Sequence, residues 1–197
     1  MNLIETTTLG SADFPIAELK DYLRLGSGFT DDNAQDGMLE TCLRAALGAI
    51  EARTGKILIS RNFDWVFYKY KKDGVAMVLP VSPVTWLNLF YTYSVAGVPS
   101  VYSTIKFKLQ ADSQYTKLVA KEGDVPEVPE NGSGLVKITA GYGDWADIPA
   151  NMQQAMLMLA ATYYENRDVM VSGKMQLPYT VAALLEPFQR VRLGMRT

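Results

Sequence analysis

The sequence predicts an α+β fold: two N-terminal helices, a central antiparallel β insertion and two C-terminal helices. Apolar residues recur at spacings of three and four before Gly55, and alternate in aromatic-rich runs between residues 57 and 142. Pro149 and Pro178 then stand where proline opens a helix, since its missing N–H costs nothing in a first turn. At 197 residues the chain fits one domain with a large insertion and can bury a core without disulfides or metal. The expected division is a helical domain from residues 1–56 and 143–197, and a β-rich insertion over residues 57–142.

Pro15 opens the first helical pattern, with Ile16, Leu19, Tyr22 and Leu23 on one face, and Gly26 and Gly28 end it. Asp31 or Asp32 is placed to cap a second helix, in which Leu39, Cys42, Leu43, Ala46, Leu47 and Ile50 trace one stripe towards a stop at Gly55. Residues 62–70, NFDWVFYKY, read as a strand, and Lys71 to Gly74 as a hairpin turn into residues 75–79. Pro80 and Pro83 form a corner, residues 86–93 are extended, and Gly97 with Pro99 makes a turn. Residues 105–109, 117–120 and 135–140 complete a unit of about five to seven strands. Residues 122–134, rich in acid, Pro and Gly, read as an exposed loop, and residues 170–176 as another.

The third helix, within residues 148–167, has a wet first turn at Asn151, Gln153 and Gln154. From Ala155 to Tyr164 every residue but Thr162 is apolar or aromatic. Such a helix needs cover all round, and it is too short to cross a bilayer, which takes roughly 20 residues. The cover is protein, in part another subunit. In the last helix Val181, Leu184, Leu185 and Phe188 share a face, with Pro187 a kink or end.

The net charge of −2 gives no overall positive field for nucleic acid or anionic lipid. Acids cluster at Asp31, Asp32, Asp36 and Glu40 and again at Glu122, Asp124, Glu127 and Glu130, while Arg190, Arg192 and Arg196 make the C-terminus basic. Cys42 is the only cysteine, so a reducing compartment is the simpler reading, and the N-terminus lacks the blocks of a signal peptide. Histidine is absent, which removes the usual general base and the commonest transition-metal ligand. The sequence therefore reads as non-enzymatic, with no cofactor and no metal.

The remaining chemical features favour structure. Gly141-Tyr-Gly143 lacks the full phosphate-loop pattern. Asp144 and Asp147 suit capping of the following helix better than a cation site. Phe63, Trp65, Phe67, Tyr68 and Tyr70 form either a stacking platform or, more simply, a core. Tyr163, Tyr164, Glu165, Asn166 and Arg167 read as a helix end that holds neighbouring elements. The Leu184, Leu185 and Phe188 face, followed by Arg190 and Arg192, reads as a peptide that docks on a partner.

In order along the chain, Leu19-Lys-x-Tyr-Leu23, Asp31-Asp32, Leu43-Arg-Ala-Ala-x-x-x-Ile-Glu51, Thr54-Gly55, Leu79-Pro80-Val-Ser-Pro83-Val84, Gly141-Tyr-Gly143, Ile148-Pro149, Tyr163-Tyr-Glu-Asn-Arg167 and Leu177-Pro178 through Phe188 form a set. This set resembles the head–tail connector (adaptor) proteins of long-tailed bacteriophages and phage-derived gene transfer agents. The resemblance implies a mainly helical connector core and a structural virion protein, assembled in the bacterial host cytoplasm and located at the capsid vertex. It implies a dodecameric homo-oligomeric ring beneath the portal protein that extends the DNA channel, with DNA only as passing cargo. A neck, stopper or tail-side protein is the further partner, and no membrane is involved. On this reading Leu184, Leu185, Phe188, Arg190, Arg192 and Arg196 dock on the portal, and Met156, Leu159, Tyr163, Tyr164 and Arg167 form subunit contacts. The alternative is a β-sandwich module that binds carbohydrate or peptide, using Trp65 or Trp86.

Overall fold

A computed structural model describes residues 2–25, 35–73, 75–112, 114–166 and 177–189. The described chain divides into two compact units, one of residues 1–9 and 59–142, the other of residues 10–58 and 143–197.

The second unit is helical. Short α1 (Ile16–Tyr22) precedes α2 (Asp36–Thr54), and α3 (Ala150–Glu165) and α4 (Tyr179–Leu185) follow the β unit in sequence. The stripe expected of α2 is the buried one: Leu39, Cys42, Leu43, Ala46, Leu47 and Ile50 all face inward. Gly55 ends α2 in the left-handed conformation, φ 66°, its N–H donating to Glu51 O at 2.8 Å, as a helix-terminating glycine does. Pro149 and Pro178 immediately precede α3 and α4. The first helical residue of α2 that the structure describes is Asp36, after Gln35, so Asp31 and Asp32 lie outside the described residues. Gly26, Gly28, Gly74 and the 170–176 loop lie outside them too.

The first unit is larger in strand than expected. Its strands are β1 (Asn2–Glu5), β2 (Arg61–Phe67), β3 (Lys72–Asp73), β4 (Ala76–Val78), β5 (Val84–Tyr93), β6 (Pro99–Tyr102), β7 (Phe107–Ala111), β8 (Thr116–Ala120) and β9 (Ser133–Ala140). They form two sheets, one in the order β1-β2-β9-β5-β6 and one in the order β3-β4-β8-β7, antiparallel at every pairing. The expectation of a mainly helical core with one central β insertion is therefore wrong. Helix makes up 37% and strand 31% of the described residues, and β1 brings the N-terminus into the sheet by pairing Leu3 with Trp65.

Alternation explains the core. Along β2, Arg61, Phe63, Trp65 and Phe67 are buried while the residues between them are more exposed, and Val136 and Ile138 do the same from β9. Phe90 of β5 meets Phe107 of β7 with ring centroids 5.4 Å apart, so the two sheets share this aromatic layer. Trp65 stacks on Phe67 at 4.3 Å, and Phe67 lies over Gly134, where any Cβ would enter its ring. Tyr70 packs edge-on against Phe67 and its hydroxyl donates to Val125 O and Pro126 O at 3.1 and 3.2 Å, which pins the acidic loop.

The chain leaves β9 through Gly141, at φ 135°, with backbone of Ser60 so close that an added Cβ would sit 2.5 Å from its Cα. Both the left-handed backbone and the close approach require glycine. Gly141→Ala should therefore lower stability by about 1–3 kcal/mol, read as a lower urea midpoint with the slope unchanged.

Candidate functional site

The sequence reading places function on surfaces of the helical unit, and their geometry follows from α3. Met152, Ala155, Met156, Leu159, Ala160 and Ala161 are buried, and α3 packs with α1, α2 and α4 of the same chain. Met156 is 0% and Leu159 1% exposed, so both side chains are filled in by the chain itself before any neighbour arrives. Leu157, Met158, Thr162, Tyr163 and Tyr164 are half-exposed. Tyr164 donates through its hydroxyl to Gln35 Oε1 at 3.2 Å, joining the end of α3 to the start of α2. Asn166 closes α3 by donating from Nδ2 to Thr162 O at 2.9 Å. Arg167 lies outside the described residues.

The expected docking residues divide in the same way. Leu185, the last residue of α4, is fully buried, whereas Leu184 and Phe188 are half-buried, and Glu186 and Pro187 are exposed. Arg190, Arg192 and Arg196 lie outside the described residues. Of the described residues expected to meet partners, the surface therefore offers Tyr163, Tyr164, Leu184 and Phe188.

Charges near these helices serve the unit's own packing. Asp36 pairs with Lys20 across α1 and α2. Glu40 takes Arg44 one turn on at 2.6 Å, and the Arg44 guanidinium lies 4.5 Å from the Phe14 ring centre. The Ser11 hydroxyl, then Arg44, hold the Glu40 carboxyl below its ordinary value. Asp147 accepts the Asp144 backbone N–H at 3.1 Å in the turn before α3, which is a capping arrangement. Among the described residues no three His, Cys, Asp or Glu side chains gather as a metal site would require.

The β unit holds a polar cleft of about 340 Å³ lined by Lys71, Asp73, Asp112, Gln114, Tyr115 and Lys117, with Val78. Lys117 bridges Asp73 at 2.7 Å and Asp112 at 3.1 Å, and these bonds raise its ammonium above the ordinary value. The Lys117 pairs with Asp73 and Asp112 make the cleft an ion-pair cluster. Ser103 and Lys106 stand at a Ser-x-x-Lys spacing. Both residues are exposed, and the bond between them is from the Lys106 backbone N–H to Ser103 O at 3.2 Å, so no activated hydroxyl results. The aromatic run of β2 is core, with Trp65 1% exposed, and of the two tryptophans proposed for ligand stacking only Trp86, 67% exposed, is open to solvent.

Burial raises the phenols of Tyr142 and Tyr163 above their usual value. The folded chain thus holds these protons more tightly than the unfolded chain, so their contribution to stability is complete below about pH 10 and is lost as pH climbs through the folded values. Absorbance at 295 nm should show a late-ionising fraction that shrinks in Tyr142→Phe and in Tyr163→Phe.

No protein-family model matches the chain, and no curated protein does. Solved structures do. A chain in the neck of an empty gene transfer agent particle, computed with C6 symmetry, is 37% identical with a TM-score of 0.86. A chain in the virion of the native gene transfer agent particle is 36% identical with a TM-score of 0.82. A third, in the neck of the native particle computed with C12 symmetry, is 33% identical with a TM-score of 0.79. Each alignment covers 100% of both chains. With identity and fold shared from end to end, the chain belongs to the family of structural neck proteins of gene transfer agent particles.

Proposed function

We propose that this chain is the head–tail connector of such a particle. It forms a dodecameric ring beneath the portal protein, extends the DNA channel, and presents the next neck or tail-side component with a platform. Assembly takes place in the host cytoplasm, and DNA passes through the ring as cargo. The observation that supports this reading is the full-length likeness to neck chains of particles computed with C12 and with C6 symmetry. A net charge of −2 is consistent with it, because a channel wall should not hold a sliding polyanion.

In this reading Leu184 and Phe188, with Arg190, Arg192 and Arg196 beyond the described residues, dock on the portal. Tyr163 and Tyr164, at the half-exposed end of α3, contribute to contacts between copies. Its function is structural rather than catalytic. Co-sedimentation with tail-less, portal-bearing capsids tests the role: the chain should pellet with these capsids and stay in the supernatant with capsids assembled without portal. Equal recovery from both would overturn it.

A further inference from the structure

Strand β5 breaks its register with β9 twice, between Val84 and Trp86 and between Leu87 and Leu89. Such bulges leave an extra residue on one strand and re-aim its side chains, and they recur next to active sites. Here the extra residues are Thr85 and Asn88, and both bond to Thr139 of β9. Thr85 Oγ1 donates to Thr139 O at 3.2 Å, and Asn88 Nδ2 donates to Thr139 Oγ1 at 3.1 Å. Thr139 Oγ1 in turn donates to Asn62 Oδ1 of β2 at 2.7 Å. Thr139 is paired with Trp86 on one side and with Asn62 on the other, so the three side chains stand on one face of the sheet. That face is turned away from the core, since the alternating neighbours Phe63, Leu87 and Ile138 are buried.

The result is a patch in two parts. The Trp86 indole is 67% exposed. Beside it two amides are oriented by a single hydroxyl, which leaves Asn62 Nδ2 as a donor and Asn88 Oδ1 as an acceptor, both on exposed residues. A lone exposed aromatic residue is ordinary, but one set beside an oriented donor and acceptor has the composition of a ligand site. Its chemistry selects the ligand. A protein interface would surround Trp86 with further apolar side chains, and a nucleic-acid surface would carry unpaired cations. The side chains bonded around Thr139 are instead neutral and polar, and the charges on the next row of the face, Asp64 and Lys137, pair with each other at 3.0 Å.

We infer that this face binds a neutral saccharide. The C–H face of a pyranose ring lies on Trp86, and two adjacent hydroxyls, each able to donate and to accept, meet Asn62 Nδ2 and Asn88 Oδ1. The site lies within the β unit of a single chain, so it stands whether or not the chain forms a ring. One sugar places about a dozen heavy atoms on an open surface, which gives a roughly millimolar affinity. A polysaccharide that reaches several copies in one assembly binds more tightly through avidity alone.

The test is saturation-transfer difference NMR on the free full-length chain with glucose, galactose, mannose, rhamnose and N-acetylglucosamine oligomers and one glucuronate oligomer, each at about 10 mM. At least one neutral oligomer should receive saturation, strongest at its ring C–H protons and unchanged by added salt. Trp86→Ala should weaken binding at least tenfold. Asn62→Asp, which keeps the acceptor for Thr139 but removes the outward donor, should weaken it at least fivefold. Both positions are exposed, so each variant should keep the thermal midpoint of the unsubstituted chain. Trp145→Phe, remote in sequence and outside the patch, should bind as the unsubstituted chain does. Transfer to no neutral oligomer, transfer to the glucuronate oligomer alone, or full binding by Trp86→Ala would each overturn the saccharide site and leave the neck role untouched.

Discussion

Leu159→Asp is expected to unfold the helical unit of the free chain. Leu159 is 1% exposed in the middle of α3, where α1, α2 and α4 of the same chain surround the helix. Truncation of such a leucine alone costs about 2–5 kcal/mol. The aspartate adds a carboxyl that must be desolvated or protonated in an apolar site, a further cost of several kcal/mol. The sum rivals the total stability of a typical domain, about 5–15 kcal/mol. Leu159→Met, which keeps the volume, should cost less than about 1.5 kcal/mol. Far-UV circular dichroism during urea unfolding separates the possibilities. A side chain that served mainly a neighbouring subunit would leave the dilute monomer's midpoint near wild type and would impair only assembly.

Removal of residues 187–197 is expected to abolish attachment to portal-bearing capsids while leaving the fold in place. Among the described residues it removes exposed Pro187 and half-buried Phe188 and Gln189, none of them part of the described core. The deletion also takes Arg190, Arg192 and Arg196, with Val191, Leu193 and Met195 between them. Surface ion pairs contribute about 0.2–1 kcal/mol each, so the three arginines together are worth up to about 3 kcal/mol, enough for a hundredfold change in affinity. Reversing these three to glutamate in the full-length chain should weaken binding and flatten its dependence on salt. Retained attachment of the truncated chain, with an unchanged unfolding midpoint, would place the docking surface elsewhere.

The helices were legible because their signals are local. Gly55 stops α2, Pro149 and Pro178 open α3 and α4, and the stripe from Leu39 to Ile50 states which side of α2 faces in. Long-range pairing was not legible. In β1 only Leu3 escapes full exposure, so four residues show no alternation, and the partner strand lies some sixty residues away. Gly97 and Pro99 read as a turn, but Pro99 opens β6, an edge strand that tolerates a missing N–H. Alternation also tells inward from outward without saying which sheet a strand joins, so the division into two sheets is not encoded in it.

The candidate surfaces show the same boundary. That the helix from Ala155 to Tyr164 needs cover on every side could be read from its residues. Whether the cover came from the same chain or from a neighbour could not. Met156 and Leu159 turn out to be covered from within, and the half-exposed surface moves to Tyr163 and Tyr164 at the helix end. The distinction between Trp65, buried, and Trp86, exposed, likewise depends on sheet pairing that sequence spacing does not encode.

The measurement that bears most directly on the connector role is cryo-electron microscopy of the chain mixed with DNA-filled, tail-less capsids made from the neighbouring genes. The account predicts a twelve-fold ring of density on the axis beneath the portal, in keeping with the similar neck computed with C12 symmetry. It also predicts that the C-terminal segment reaches the portal. Portal vertices that remain bare at saturating protein would contradict it.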